Sequence, residues 1–264
     1  MQAVCVPRAT YYALKDKVNQ SPPKDTMTDG ARRVFEESRS LYGTRKIKAV
    51  LASEGKIISR PRIAKIMKRE NLTSAYRKTK YKNHKSKVNE ADTPNVIDRN
   101  FDGYAPQTHL ASDLTCVRVK DKWCYVCLII DLYNREIVGH AASNKKDVRL
   151  VKSALATLNF PLTNIEVFHT DRGSEFDNNE LTEVFEVFDI KQSLSAKGCP
   201  YDNAVVESTN KILKEELTND ENFKTLYELQ LKLSDYVHWY NHKRVHATLG
   251  YLSPIDFRKS DRTL

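Results

Sequence analysis

Three acids stand where metal-dependent chemistry at phosphorus would need them. Asp113 lies between His109-Leu110-Ala111-Ser112 and Leu114-Thr115-Cys116-Val117, and Asp171 ends Ile165-Glu166-Val167-Phe168-His169-Thr170 before the turn Arg172-Gly173-Ser174. Both apolar runs read as β-strands, so both carboxylates are expected at rigid sheet edges. Glu207 follows the loop 195–201 and the helix-capping pair Asp202-Asn203, on an amphipathic segment that reads as a helix. Mg²⁺ is a hard cation, held by one or two carboxylates together with substrate phosphates. Two such ions about 3.5 to 4 Å apart activate an attacking oxygen and stabilise a departing one in an in-line displacement. That chemistry needs no side-chain nucleophile. Asp113, Asp171 and Glu207 are therefore the candidate metal ligands and the candidate catalytic set; the competing reading is three solvated acids among the 34 Asp and Glu of the chain.

The elements that would position these acids follow from hydrophobic periodicity. Strand patterns cover 109–120, 122–131 and 135–142, with Asp131-Leu132-Tyr133-Asn134 as a hairpin turn. A helix over 148–158, a strand ending at Asp171 and further helices complete an α/β layer fold, a sheet covered by helices. Asp131 also ends an apolar strand and is a rival ligand, although a turn aspartate followed by Leu-Tyr-Asn reads as a hairpin residue. His169 would point to the same side of its strand as Asp171; it tunes the site, touches substrate, or simply packs. On the Glu207 helix, Val206, Leu213 and Leu217 form a stripe to be buried, while Glu207, Lys211 and Lys214 share another face. Those two lysines either contact a phosphate backbone or pair with the glutamate, the latter worth only about 0.3 to 0.5 kcal/mol when exposed.

Upstream the patterning is helical. Ala31, Val34, Phe35, Ser38 and Leu41 keep one face behind a possible cap at Asp29; Ile47, Val50 and Leu51 repeat it after Gly43-Thr44; Ile63, Ile66 and Met67 do so behind Ser59, with Pro61 in the first turn. Three such helices suggest a helix-turn-helix-like module whose last helix presents Lys65, Lys68 and Arg69 to a DNA groove or backbone; an ordinary charged helical face is the alternative. Between 76 and 87 come Arg77, Lys78, Lys80, Lys82, Lys85 and Lys87 with no acid, either a solvated linker or a segment lying on a polyanion. Overall Lys plus Arg number 43, giving a formal net charge of +9, as expected of a protein that neutralises nucleic-acid phosphates. The expected organisation is a helical DNA-binding region over 1–75, a basic linker over 76–105, and a catalytic core over 106–264. Five irregularly spaced cysteines argue against a disulfide framework and for a reducing cytoplasm. The longest apolar run, 123–130, is far short of the roughly 20 residues of a spanning helix. Cys124 and Cys127 lie in a strand pattern with no second pair to complete a zinc site. His238, His242 and His246 have a metal-compatible spacing, but no acid or thiol completes the set.

Around the three acids the chain resembles the DDE-type transposases of bacterial insertion sequences, specifically the integrase-core frame B product of the third insertion-sequence family, related to retroviral integrases. The resemblance is carried by Ser112-Asp113-Leu114-Thr115, by His169-Thr170-Asp171-Arg172-Gly173-Ser174-Glu175-Phe176, and by the run from Ser193 through Gly198-Cys199-Pro200-Tyr201-Asp202-Asn203-Ala204 to Glu207-Ser208. It continues in Tyr240-Asn241-His242-Lys243-Arg244-Val245-His246 and Leu249-Gly250-Tyr251 to Ser253-Pro254. The spacing of the last two acids matches, and Lys214 fills the family's basic position after the glutamate. Departures are Leu110 for an aromatic residue, Thr209 for Phe, and Glu175 for Gln, which adds a negative charge near Asp171. The resemblance implies a ribonuclease-H-like mixed sheet flanked by helices and cleavage and joining of DNA at the ends of a mobile element. It also implies Mg²⁺, with Mn²⁺ as a substitute, held by Asp113, Asp171 and Glu207, and Lys214 and Arg244 on the DNA backbone. Element ends, target DNA, further copies of the chain and an upstream frame A product are the implied partners, in a bacterial cytoplasm. A nuclease of the same fold and a catalytically dead regulator derived from a transposase are the rival functions; a product gel and a metal-dependent nicking assay separate them.

Overall fold

A computed structural model of the chain describes residue 7 and residues 26–75, 94–196, 200–218, 221–260 and 262. It divides into two compact units, Met1–Ser74 and Ala75–Leu264.

In the first unit three helices, α1 (Thr26–Glu37), α2 (Thr44–Ser53) and α3 (Arg60–Arg69), pack pairwise around Ala31, Val34, Phe35, Ile47, Leu51, Ile63 and Ile66. The buried residues fall at the helical spacing expected from their sequence. The Ser59 hydroxyl accepts from the Arg62 N–H at 3.4 Å and caps α3, with Pro61 in the first turn where a missing N–H costs nothing. Asp29, expected as a cap, instead lies inside α1. That helix starts earlier than its hydrophobic face does, because apolar periodicity marks the packed face and not the backbone end. Past Glu37 the chain turns through Arg39 and Ser40, both at positive φ, and Ser38 and Leu41 are buried from outside the helix.

The second unit is built on a sheet of order β3-β2-β1-β4-β5, formed by β1 (His109–Val119), β2 (Lys122–Asp131), β3 (Ile137–Ser143), β4 (Val167–Thr170) and β5 (Lys191–Leu194). The first three run antiparallel, and β4 and β5 are parallel to β1. Helices α4 (Val148–Leu155) and α5 (Asn179–Val187) cover one face, closing a core of Leu110, Cys127, Ile129, Val151, Phe168 and Phe185. Gly139 permits this approach: a Cβ there would stand 2.8 Å from the Ala154 carbonyl. Helix α6 (Ala204–Leu213) lies over β1 and β2 and continues as a π-helical turn, Lys214–Thr218; α7 (Leu226–His242) lies over β3, and α8 (Pro254–Lys259) packs on α7. The expected helix after β3 ends at Leu155, three residues early. Strand β5 was not foreseen, since four residues, Lys-Gln-Ser-Leu, carry no alternation and are specified by the edges they join. No helix among the described residues is long and apolar enough to cross a membrane.

Candidate active site

The parallel pairing of β1 with β4 aligns Ala111 with His169 and Ser112 with Thr170, so Asp113 and Asp171 are the next residues out along neighbouring strands. Side chains alternate along a strand. Leu110 and Phe168 point into the core under α4 and α5, hence Ala111, Asp113, His169 and Asp171 belong to the opposite face, the one α6 covers. Glu207 sits in the first turn of α6. Three residues on, and therefore on the same side of the helix, Asn210 donates from Nδ2 to Asp113 Oδ2 at 2.9 Å. That bond ties the helix bearing Glu207 to the strand bearing Asp113.

Each acid is held differently. Asp113 Oδ1 accepts from the Leu114 N–H at 2.7 Å, and Asp171 Oδ1 from the Gly173 N–H at 3.0 Å. Glu207 is exposed and makes no hydrogen bond or ion pair with a described residue. Burial, and then the charge of Asp171, push Asp113 up to about 7 against the pull of the Leu114 N–H and Asn210. Burial also raises Asp171, with Glu175 adding to the rise and the Gly173 N–H and Lys146 opposing it, and burial and Asp171 together raise Glu207. Carboxylates that raise one another's pKa in a partly dry pocket are short of positive charge. The donor set is all oxygen and anionic, which suits Mg²⁺ or Mn²⁺. The amide oxygens of Asn203 and Asn210, buried beside Asp113, lack hydrogen-bond partners, so polar capacity at this pocket is unspent. The residues thus fit a hard divalent cation. Among the described residues no three His, Cys, Asp or Glu side chains stand in coordinating arrangement.

One cation of the chain's own lies here. Lys146, just before α4, donates from Nζ to Glu175 Oε1 at 3.0 Å, and Glu175 is almost wholly buried two residues after Gly173. Lys146, Asn203 and Asn210 were missed in the sequence. Lys146 sits in a polar loop with no local pattern, whereas Asn210's place three residues after Glu207 was a readable signal.

The other expected residues separate by environment. Lys211 is exposed, Lys214 is half-buried at the start of the π-helical turn, and neither forms an ion pair with a described residue, so the intrahelical pair with Glu207 is absent. Arg244 is a correction: it is buried, its Nε and Nη2 donating to both oxygens of buried Glu216 at 2.8 to 3.1 Å, and so it does not offer its guanidinium to a phosphate. Lys65 and Lys68 are exposed on α3, while Arg69 donates to Thr28 Oγ1 at 2.6 Å and to Glu70 at 3.0 Å, bracing the module internally. Arg77, Lys78 and Lys80 lie outside the described residues. Asp131 is fully buried, accepting from the Gln107 and Tyr133 N–H groups at 2.9 and 3.0 Å, and faces the other side of the sheet from Asp113. It is a turn residue. His169 is buried too, and Asp202 lies in its loop as an acceptor instead of capping α6, whose N-cap Asn203 makes no side-chain cap bond. His238 and His242 stack on α7 at 4.1 Å, and His246 lies beyond the helix beside Arg244. Cys124 and Cys127 are buried free thiols.

Models of an integrase core domain match residues 103–200 and 188–254, and a model of an HTH-like domain matches residues 24–80. The chain is 32% identical over 244 residues to the transposase for insertion sequence element IS904 of Lactococcus lactis subsp. lactis (strain IL1403), spanning 91% of this chain and 96% of that protein. It is 28% identical over 260 residues to the protein named transposase InsK for insertion sequence element IS150 of Escherichia coli (strain K12), spanning 98% and 92%. Among solved structures, a chain of the simian T-cell lymphotropic virus intasome in complex with PP2A regulatory subunit B56 gamma aligns over 81% of this chain and 71% of that one, with a TM-score of 0.49 and 16% identity, a likeness too slight to assign a fold by itself. Identity of this order along nearly the full length of a transposase, joined to the integrase-core match, makes the chain a member of the integrase-core transposases of bacterial insertion sequences, DDE-type polynucleotidyl transferases of ribonuclease-H-like fold.

Proposed function

We propose that Asp113, Asp171 and Glu207 hold the divalent cations, Mg²⁺ with Mn²⁺ as a substitute, of a reaction that cuts DNA at the element's ends and joins the freed 3′-hydroxyl to a phosphodiester. The observation that carries this is that Asp113, within β1, and Asp171, just past the end of the adjacent parallel β4, lie next to each other across the strand pair, on the face covered by the helix that bears Glu207, with Asn210 of that helix bonded to Asp113. When bound, the cations supply Lewis acidity to the phosphoryl oxygens and lower the pKa of the attacking hydroxyl. Backbone N–H groups and Asn210 fix the two aspartates before DNA arrives, and Glu207 is left free to close on them. Lys214 contacts the DNA backbone beside the site and Lys211 extends that contact. Residues 1–75 grip DNA, chiefly through Lys65 and Lys68 on α3, with Arg69 as a brace. The linker 76–105, with Arg77, Lys78 and Lys80, lies along the polyanion, and 106–264 cut and join. The element's terminal repeats, target DNA, further copies of the chain assembled on DNA and an upstream frame A product are the proposed partners, in the cytoplasm.

Asp171→Asn tests the assignment. Loss of a metal ligand removes several kcal/mol of transition-state stabilisation, so cleavage and joining in Mg²⁺ should fall at least about 1000-fold, while affinity for element ends changes by less than about threefold. Gels that resolve nicked from joined products read both steps. Joining at the wild-type rate by this variant would refute the site.

A further inference from the structure

The Asp202 side chain is buried, and its partners come from three stretches of chain. Oδ2 accepts from the Ala196 N–H at 2.8 Å and from Asn95 Nδ2 at 3.0 Å, and Oδ1 accepts from Arg99 Nε at 2.7 Å. Its own carbonyl accepts from His169 Nε2 at 2.8 Å. A carbonyl can only accept, so Nε2 carries the proton and Nδ1 accepts from the Ser193 hydroxyl at 2.8 Å; Ser193 Oγ in turn accepts from the Val96 N–H at 2.9 Å. The Pro94 carbonyl accepts from the Leu194 N–H at 3.2 Å. Residues 94–99 therefore run along the open edge of β5 and grip the turn Pro200–Asn203 that leads into α6. Asp98 and Arg99 both hold positive φ, 44° and 63°, in a turn closed by Asn95 Oδ1 accepting from the Asp98 N–H at 3.0 Å. Non-glycine residues in that region cost about 1 kcal/mol or more each and persist only where the surroundings impose them. Here they aim Arg99 at Asp202. Burial alone would raise Asp202, but Arg99, the Ala196 N–H and Asn95 outweigh it and hold the carboxyl below the usual range, so it stays ionised.

We infer that Asp202 is a positioning residue for Glu207, and that the segment 94–99 is the strap that holds it. The inference rests on the reading of Glu207 as a metal ligand. The first turn of α6 carries Glu207, its N-cap lacks a side-chain cap bond, and no hydrogen bond from a described residue fixes the glutamate itself. The turn that Asp202 anchors is then what sets where Glu207 can reach. The backbone carbonyl of the same residue engages His169, two residues before Asp171, so one residue adjoins the approaches to two of the three acids. The strap follows the basic run 76–87 in sequence.

The full-length chain is tested as Asp202→Asn, Asn95→Ala and Arg99→Ala. Arg99 is more than half exposed, so its loss spares the fold even if Asp202→Asn does not. Mn²⁺ binding is measured directly, by the electron-paramagnetic signal of the free ion, beside strand transfer as a function of Mn²⁺ and affinity for a DNA end. Supporting partners of metal ligands are commonly worth 10- to 100-fold in metal affinity. Asp202→Asn should weaken Mn²⁺ binding and shift half-maximal activity by about tenfold or more, Arg99→Ala by about three- to tenfold, and Arg99→Lys by less than Arg99→Ala, with DNA affinity unchanged. Variants that melt earlier yet bind Mn²⁺ as the wild type does overturn the inference, and so does an Arg99→Ala protein with unaltered metal dependence. Glu207→Gln runs in parallel: if it keeps wild-type metal binding and joining, the reading of the site itself has failed, whereas a dead Glu207→Gln beside indifferent Asp202 and Arg99 variants removes only the strap.

Discussion

Lys146 donates to Glu175 at 3.0 Å and lowers the pKa of Asp171, so at the residue scale it offsets part of a charge excess that the metal ligands create. A neutral Gln at position 175 would need no such partner. Lys146→Met should therefore destabilise the metal-free chain by about 2 kcal/mol, the order of a hydrogen bond between charged groups, and adding Glu175→Gln should recover most of it; urea unfolding of the two variants and their combination reads the coupling. Gly173 belongs to the same packing, since a Cβ there would stand 2.6 Å from the Glu175 carboxyl carbon. The pH dependence is set by Asp113. Its folded pKa of about 7 lies above its ordinary 3.8, so the folded state keeps a proton that the unfolded chain gives up. Its contribution to stability is full below about pH 4 and is lost as pH rises through 7. Relative to Asp113→Asn, the metal-free wild type should lose stability between pH 5 and 8, and Mn²⁺ should restore more of it at pH 8 than at pH 6, because the cation competes with that proton. Thermal unfolding with and without Mn²⁺ checks this; equal restoration at both pH values would remove Asp113 from the cation's ligands.

At the element scale, the π-helical turn after α6 is where two sets of contacts diverge. Lys214 opens it seven residues after Glu207, and Glu216 within it bonds to Arg244 and to the Tyr236 hydroxyl at 2.9 Å. Such turns insert one residue's worth of rotation and frequently mark functional places in helices. The terminal block Tyr240 to His246 is thereby explained as a clamp: Arg244 lies 5.5 Å from the Tyr240 ring and 3.3 Å from His246 Nδ1, and its pairing locks the turn against α7. Arg244→Met should cost about 3 to 5 kcal/mol by leaving Glu216 buried and unpaired, and Glu216→Gln should relieve part of that loss. A phosphate contact would behave oppositely, keeping stability while weakening DNA binding and its salt dependence, so denaturation and filter-binding together separate the two roles. In the first unit, Ser59→Ala removes the α3 cap and should cost about 1 kcal/mol, measurable by chemical denaturation.

At the scale of the whole molecule, a helical unit and an α/β unit each bury their own core. The positive excess of the chain is carried in part by exposed Lys65 and Lys68 on α3. If these meet phosphates, Lys65→Ala and Lys68→Ala should each lower affinity uniformly across DNA sequences and reduce the salt slope by about one, while leaving Mn²⁺ binding by the other unit untouched. Titrations at several salt concentrations give the slope; an unchanged slope would return both lysines to the category of solvated surface.

The sequence by itself determined what is local. The amphipathic helices with Ser59 as a cap, the three antiparallel strands with their hairpin, and Asp171 at a strand end followed from period and turn chemistry within a few residues, whereas Asp113, expected at a strand end, lies inside the central strand β1 because the pairing with β2 carries the strand on to Val119. Tertiary structure alone decided what depends on partners far along the chain. It brought β4 beside β1 so that Asp113 and Asp171 adjoin, made a strand of Lys191–Leu194 by pairing it between β4 and the strap, sent Arg244 inward to Glu216 and buried Asp202 against Arg99. A charged side chain reads the same in sequence whether it faces solvent or an opposite charge, and only the packing that removes water from it settles which.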